Sequence, residues 1–349
     1  MTVRTHPLTR RPSRRWLLGG LAALAVLGGA ACASDDEATA DPTAAAGAAT
    51  GAAATVAAAA PAAEDTSGLA ERGYAEGHRL VSGAWLEERL TDPSIVILDL
   101  RDEEAFAAGH IPGARLVVPG PNFSRTDEAG VKGQIGTAEQ VAAALSAAGV
   151  TPDQTVVLYD GNSSLWAARA LWVLDVYGHA QTRILDGAWK AWAAENRPTT
   201  TEPTAVTAST YAFSGAPNAN IIANFEELVS AINDPSKLVC DARSAEEYAG
   251  RDVRSAQGGH VPGAQNVDWT TAVNEQSQFK TAEELAAVYE GKVLTGDTNQ
   301  TIYVYCQTGV RAAHTWFVFH DLLGYENVKN YDGSWEEYGN RPDAVIERS

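Results

Sequence analysis

The chain has 349 residues, 45% of them hydrophobic, which is enough for about two domains with cores of their own. Its formal charge is −18, from 44 acids and 26 bases, and residues 1–31 hold five of the bases and no acid, so the rest carries 21 bases against 44 acids, or −23. Such a surface repels phosphate backbones and argues against a nucleic-acid partner; three cysteines with no C-x-x-C argue against a cysteine zinc site and against a disulfide framework.

In chain order, Arg14-Arg15 precede Trp16-Leu17-Leu18 and a small-residue apolar run to Ala31. A basic start, a short apolar stretch and small residues before a cut site describe a signal peptide over 1–32. The run is short and rich in Gly and Ala for a membrane span. Ser13-Arg14-Arg15-Trp16-Leu17-Leu18 resembles a twin-arginine export signal. Gly29-Ala30-Ala31-Cys32 resembles a bacterial lipobox, with Gly29 where leucine is usual, so Cys32 is the expected lipidation site. Without lipidation, ordinary cleavage near Ala31 would give a secreted or periplasmic protein. Residues 33–73 are mostly Ala, Thr, Pro and Gly with no apolar face to bury, and are expected to be a flexible tether.

The remainder repeats itself. Ile95 to Arg101 and Leu238 to Arg243 are apolar runs ending in D-x-R, each followed by an acidic helix start. His110-Ile111-Pro112-Gly113-Ala114 matches His260-Val261-Pro262-Gly263-Ala264, with about eight extra residues before the second histidine. Val156 to Gly161 matches Ile302 to Gln307, and both lead into helices that end near Gly178 and Gly324. Asp186-Gly187-Ala188-Trp189 then matches Asp332-Gly333-Ser334-Trp335, 26 positions after Asp160 and after Cys306 respectively. Strands alternating with helices predict an α/β fold. Each of the two copies would be a parallel sheet with helices on both faces, spanning 74–205 and 218–345.

Sites in such folds lie beyond the carboxyl ends of the strands, where Cys306 and Asp160 both fall. Free cysteine is mostly protonated at neutral pH, with a pKa of about 8.5. The backbone of Gln307, Thr308, Gly309, Val310 and Arg311 can form an anion nest, a helix from near Ala312 adds its positive end, and Arg311 adds a cation. Gly309 gives the loop backbone freedom. Cys306 therefore reads as a thiolate nucleophile. Cys240, inside a strand, reads as a packed small hydrophobe. Asp99/Arg101, Asp241/Arg243, His110 and His260 occur in both copies, so the sheet rather than the chemistry should use them. Trp269 reads as a core aromatic, and His314 and His320 as packing or surface residues.

Paired D-x-R strands, paired H-[IV]-P-G-A segments, one C-x-x-G-x loop and two D-G-x-W ends resemble the tandem-domain sulfurtransferases of the rhodanese family over about residues 74–345. That resemblance implies a silent first domain and a catalytic second domain. It implies transfer of sulfane sulfur from thiosulfate or 3-mercaptopyruvate, through a Cys306 persulfide, to cyanide or a thiol. It also implies that Arg169 reaches across the domain interface toward the substrate anion. No metal or organic cofactor is implied, and the oligomeric state cannot be read.

The loop Cys306-Gln307-Thr308-Gly309-Val310-Arg311 departs from both C-R-K-G-V-T and C-G-[ST]-G-V-T, the patterns of thiosulfate and 3-mercaptopyruvate enzymes; Arg311 leans toward thiosulfate. Its C-x4-R spacing is one residue shorter than the C-x5-R of cysteine phosphatases. A persulfide carrier or sensor without turnover is the other alternative.

Overall fold

The computed structural model describes residues 69–349, so the export signal, Cys32 and the tether to residue 68 lie outside the described residues. Residues 69–73, expected to belong to the flexible tether, instead pack on the folded part, with Leu69 buried and Arg72 paired with Asp186 at 2.7 Å. Among the described residues no helix is long and apolar enough to cross a membrane.

The first copy builds a parallel sheet from β1 (Leu80–Val81), β2 (Ile95–Asp99), β3 (Arg115–Leu116), β6 (Thr155–Tyr159) and β7 (Thr182–Leu185), in the order β1-β7-β6-β2-β3. A short antiparallel pair, β4 (Ser124–Arg125) and β5 (Gln134–Ile135), stands apart from it. The second copy builds β8 (Ile222–Ala223), β9 (Lys237–Asp241), β10 (Gln265–Asn266), β11 (Thr301–Tyr305) and β12 (Val328–Tyr331). Its order, β8-β12-β11-β9-β10, repeats the first, and every neighbouring pair in both sheets is parallel.

The central strands are buried on both faces, as a parallel sheet covered by helices requires. Alternation then sorts their side chains. Val96, Leu98, Val156 and Leu158 face a core shared with Ile302 and Val304 of the other sheet, whereas Ile97, Val157 and Tyr159 face an outer cluster of the first domain. Tyr303 and Tyr305 face the matching outer cluster of the second. The shared core is centred on two helices that pack on each other, Leu165–Val176 and Val310–Phe317.

The D-x-R motifs hold the strand ends. Arg243 chelates Asp241 (2.6–3.1 Å), donates to the Gly259 carbonyl at 2.7 Å and lies 4.3 Å from the Trp335 ring centre, while Tyr305 Oη donates to Asp241 at 2.6 Å. Asp99, Arg101, Gly109, Tyr159 and Trp189 repeat this arrangement in the first domain. His110 stacks on Phe106 and His260 on Tyr248, each with Nδ1 on the carbonyl oxygen of its stacking partner. These residues pin strands and loops.

Candidate active site

Cys306 follows the last residue of β11 and is fully buried. The loop after it closes at Gly309, whose φ of +77° is the left-handed conformation that favours glycine. A Cβ there would lie 2.5 Å from Asp332 Oδ1. The helix begins at Val310, two residues earlier than the sequence indicates, because this turn completes the loop sooner. Farther on it widens into a π-turn at Val318–Leu322.

In the first domain the matching loop closes on Asp160, whose carboxyl is pushed up by burial and pulled back down by four backbone N–H groups. Asp160, in the place of Cys306, accepts four backbone N–H groups: Asn162 (2.9 Å) and Ser164 (3.0 Å) on Oδ1, Trp166 (2.6 Å) and Ala167 (3.1 Å) on Oδ2. The first-domain loop is thus filled by the chain's own Asp160 carboxyl group. The two loops differ in length. Asp160 precedes its left-handed cap, Ser164, by four residues, and Cys306 precedes Gly309 by three. The π-turn restores the missing residue, which keeps both spacings at 26. Measured from the caps, Arg169 therefore corresponds to His314.

Ser334 holds the Cys306 loop. Its Oγ accepts Cys306 N–H at 3.1 Å and Gly309 N–H at 3.0 Å and donates to the Tyr331 carbonyl at 2.8 Å. The silent copy has Ala188 at this position, so the difference was available from comparing the repeats. The Cys306 carbonyl accepts from Trp335 N–H at 2.9 Å, and that of Gln307 from Glu336 N–H at 2.8 Å. The Gln307 amide donates to Ser255 Oγ at 3.1 Å and to Glu336 at 3.3 Å, and Ser255 belongs to the stretch inserted in the second copy.

Arg311 forms a two-pronged pair with Glu247, at 2.7 and 2.8 Å. Burial pushes the Glu247 carboxyl up, but Arg311 and the Ser244 hydrogen bonds outweigh it and hold it at about 2. Burial lowers the Arg311 guanidinium; Glu247 and the nearby Cys306 more than reverse this and raise it. Glu247 is the partner that sequence reasoning missed, because it lies 64 residues away.

Arg169 is fully buried and crosses to the second domain. It pairs with Asp332 at 2.5 Å, lies 3.5 Å from the Gly309 carbonyl and donates to the Gly133 carbonyl of its own domain at 2.9 Å. Asp332 also accepts from Ile135 N–H of the first domain at 2.5 Å. Asp186 does the reverse, accepting from Phe279 N–H of the second domain at 2.9 Å and from Arg72 at 2.7 Å. Thr308 abuts Gly133, where a Cβ would approach the Thr308 Cβ to 2.6 Å. Val310 is buried in the first turn of the helix. The structure therefore gathers Cys306, Gln307, Thr308, Gly309, Val310, Arg311 and Arg169 around one loop.

Other candidates fall elsewhere. Cys240 is fully buried in β9, and burial pushes its thiol well above the ordinary range. Trp269 is a core residue edge-on to His314. His314 reaches across to the Ser163 carbonyl at 3.2 Å, and burial lowers it to about 3. His320 stacks on Trp316.

A model of the rhodanese-like domain matches residues 82–195 and again 224–341. A putative thiosulfate sulfurtransferase of Mycobacterium bovis is 39% identical over 278 residues, covering 77% of this chain and 97% of its own. The thiosulfate sulfurtransferase of Corynebacterium glutamicum is 34% identical (78% and 92% covered), and the sulfur carrier protein TtuD of Thermus thermophilus 36% (77% and 96%). Among solved structures, an anaerobic ergothioneine biosynthesis enzyme from Chlorobium limicola has the same fold, with a TM-score of 0.70 at 20% identity over 79% of this chain and 71% of that one. With two matched domains and relatives up to 39% identical that align over nearly their whole length, the chain belongs to the family of tandem rhodanese-like domain proteins.

Proposed function

We propose that the protein is a thiosulfate sulfurtransferase that works through a Cys306 persulfide. The observation that carries this is the pair of matched loops. One displays four amides closing on the carboxyl group of Asp160; the other places Cys306 at the corresponding strand end, beside Arg311. The Cys306 thiolate attacks the outer sulfur of thiosulfate. An S–S bond forms, the S–S bond of the donor breaks, and sulfite leaves with its electron pair. The carbon of cyanide, or an acceptor thiolate, then attacks the outer sulfur of the persulfide and restores the thiolate. Backbone N–H groups of the loop and the guanidinium groups of Arg311 and Arg169, which lie against it, supply the stabilisation of the developing charge. The similarity to thiosulfate sulfurtransferases supports thiosulfate as donor over 3-mercaptopyruvate. The test is thiocyanate formation from cyanide with each donor in turn; preference for 3-mercaptopyruvate would reverse the substrate assignment.

A second reading is favoured by the likeness to a sulfur carrier protein: Cys306 holds sulfur for a protein thiol. Persulfide formation without turnover to cyanide would select it. For location, the twin-arginine stretch and Gly29-Ala30-Ala31-Cys32 support export and anchoring by lipid on Cys32. Radiolabelled palmitate that enters the parent protein but not Cys32→Ala tests this, and equal labelling of both overturns it.

A further inference from the structure

The two domains overhang each other's loops with short arms, and the arms are not alike. Residues 126–133, between β4 and β5, reach over the catalytic loop; residues 274–278 reach over the silent one. The correspondence is fixed by backbone. Ile135 and Phe279 each give their N–H to the D-G aspartate of the other domain. Two residues earlier, Gly133 and Ser277 have φ of +79° and +65° and meet Thr308 and Ser163 respectively. One residue earlier again stand Lys132 and Gln276. Beneath them Glu336 and Lys190 correspond. The copies thus differ at the nucleophile (Cys306 against Asp160), at the loop anchor (Ser334 against Ala188) and at the arm tip, where only the arm over the nucleophile carries a cation.

Lys132 is held in place by its loop and not by its charge. Asp127 Oδ1 accepts Val131 N–H at 2.8 Å, and Asp127 N–H donates to the Val131 carbonyl at 3.0 Å, so the tip is a closed turn. The side chain is 75% exposed and its ammonium lies 3.9 Å from Glu336, a distance and exposure that make a weak pair. Glu336 in turn touches the side chain and the carbonyl of Gln307, next to Cys306. The two arginines at the site are committed, Arg311 to Glu247 and Arg169 to Asp332. A dianionic donor approaching a chain of charge −18 meets repulsion from most of its surface.

We infer that Lys132, supplied by the non-catalytic domain, recruits the anionic sulfur donor to Cys306 by exchanging Glu336 for the donor's sulfonate oxygens. This rests on the thiosulfate sulfurtransferase reading. It assigns the first domain a part in substrate binding, at a position distinct from Arg169.

The test uses the full chain in steady-state thiocyanate assays, varying thiosulfate and cyanide separately at low and high salt. Lys132→Gln should raise KM for thiosulfate about fivefold, flatten the salt dependence of kcat/KM for thiosulfate, and leave kcat and kcat/KM for cyanide within about twofold. Lys132→Arg should restore the parent values, and Lys292→Gln, near the amino ends of the second sheet, should match the parent. An unchanged KM and salt dependence in Lys132→Gln, or a loss confined to kcat, overturns the inference and leaves the enzyme assignment standing. A parent chain with no turnover on thiosulfate overturns both.

Discussion

At the scale of residues, two thiols of equal burial differ in where the chain goes after each of them. Cys240 lies inside a strand; Cys306 follows the end of one and opens a loop that closes at Gly309 and leads into a helix. Cys306→Ser should abolish thiocyanate formation, whereas Cys240→Ser should keep it and cost about 1 kcal/mol of stability for the buried hydroxyl. Equal loss of activity in both would sink the single-nucleophile mechanism. Ser334 gives a sharper case. Ser334→Ala leaves Cys306 N–H and Gly309 N–H without their acceptor, at about 2 kcal/mol by denaturant titration. It should lower kcat/KM for both substrates, since both half-reactions use the same loop; parent-like kinetics would remove Ser334 from loop positioning. Cys306 was legible because its whole signal is local: β-branched strand, cysteine, glycine, arginine, helix. Glu247 was not, because a guanidinium in sequence does not say which of 44 acids will meet it.

At the scale of elements, the interface is built from reciprocal reaches: Asp332 to the first domain, Asp186 to the second, each taking one backbone N–H and one arginine. Arg169 is the fully buried arginine of this set, and removing it strands the buried Asp332. Arg169→Ala should therefore destabilise the protein by about 3 kcal/mol while raising KM for thiosulfate. Adding Asp332→Asn should recover part of the stability but not the KM, and a double variant no more stable than the single would show that the pair is not what holds the interface. Strands and repeat order followed from alternation and matched motifs. The helix start and the π-turn did not, because two length changes of opposite sign cancel in the spacing. Only the position of the left-handed caps reveals them.

At the scale of the molecule, the docked domains bury acids whose titration sets the response to pH. Asp175 and Asp321 correspond in the two copies and meet at one guanidinium, Arg79, at 2.5 and 3.2 Å. Burial, with Asp321 nearby, pushes the Asp175 carboxyl up to about 6 against the pull of Arg79, and burial does the same to Asp186 despite Arg72. The contribution of these two groups to stability is full below the unfolded value of 3.8 and is lost as pH rises through about 6. Glu247 acts oppositely: its contribution is present above 4.5 and disappears as pH falls toward about 2. Urea titrations at pH 4.5 and 7 should show a smaller loss in Asp175→Asn than in the parent, and equal losses would refute the assignment. This coupling was invisible in sequence, because it exists only once two distant helices are docked.

The shorter catalytic loop also limits how freely the halves can be exchanged. One residue of α-helix is about 100° of rotation. Giving the first domain the catalytic hexapeptide, with nothing else altered, would turn its 165–176 helix by that angle and swing Arg169 off the interface. The repeat is alike in its strands but out of phase in its helices, so a second nucleophile could not be acquired by copying the loop alone.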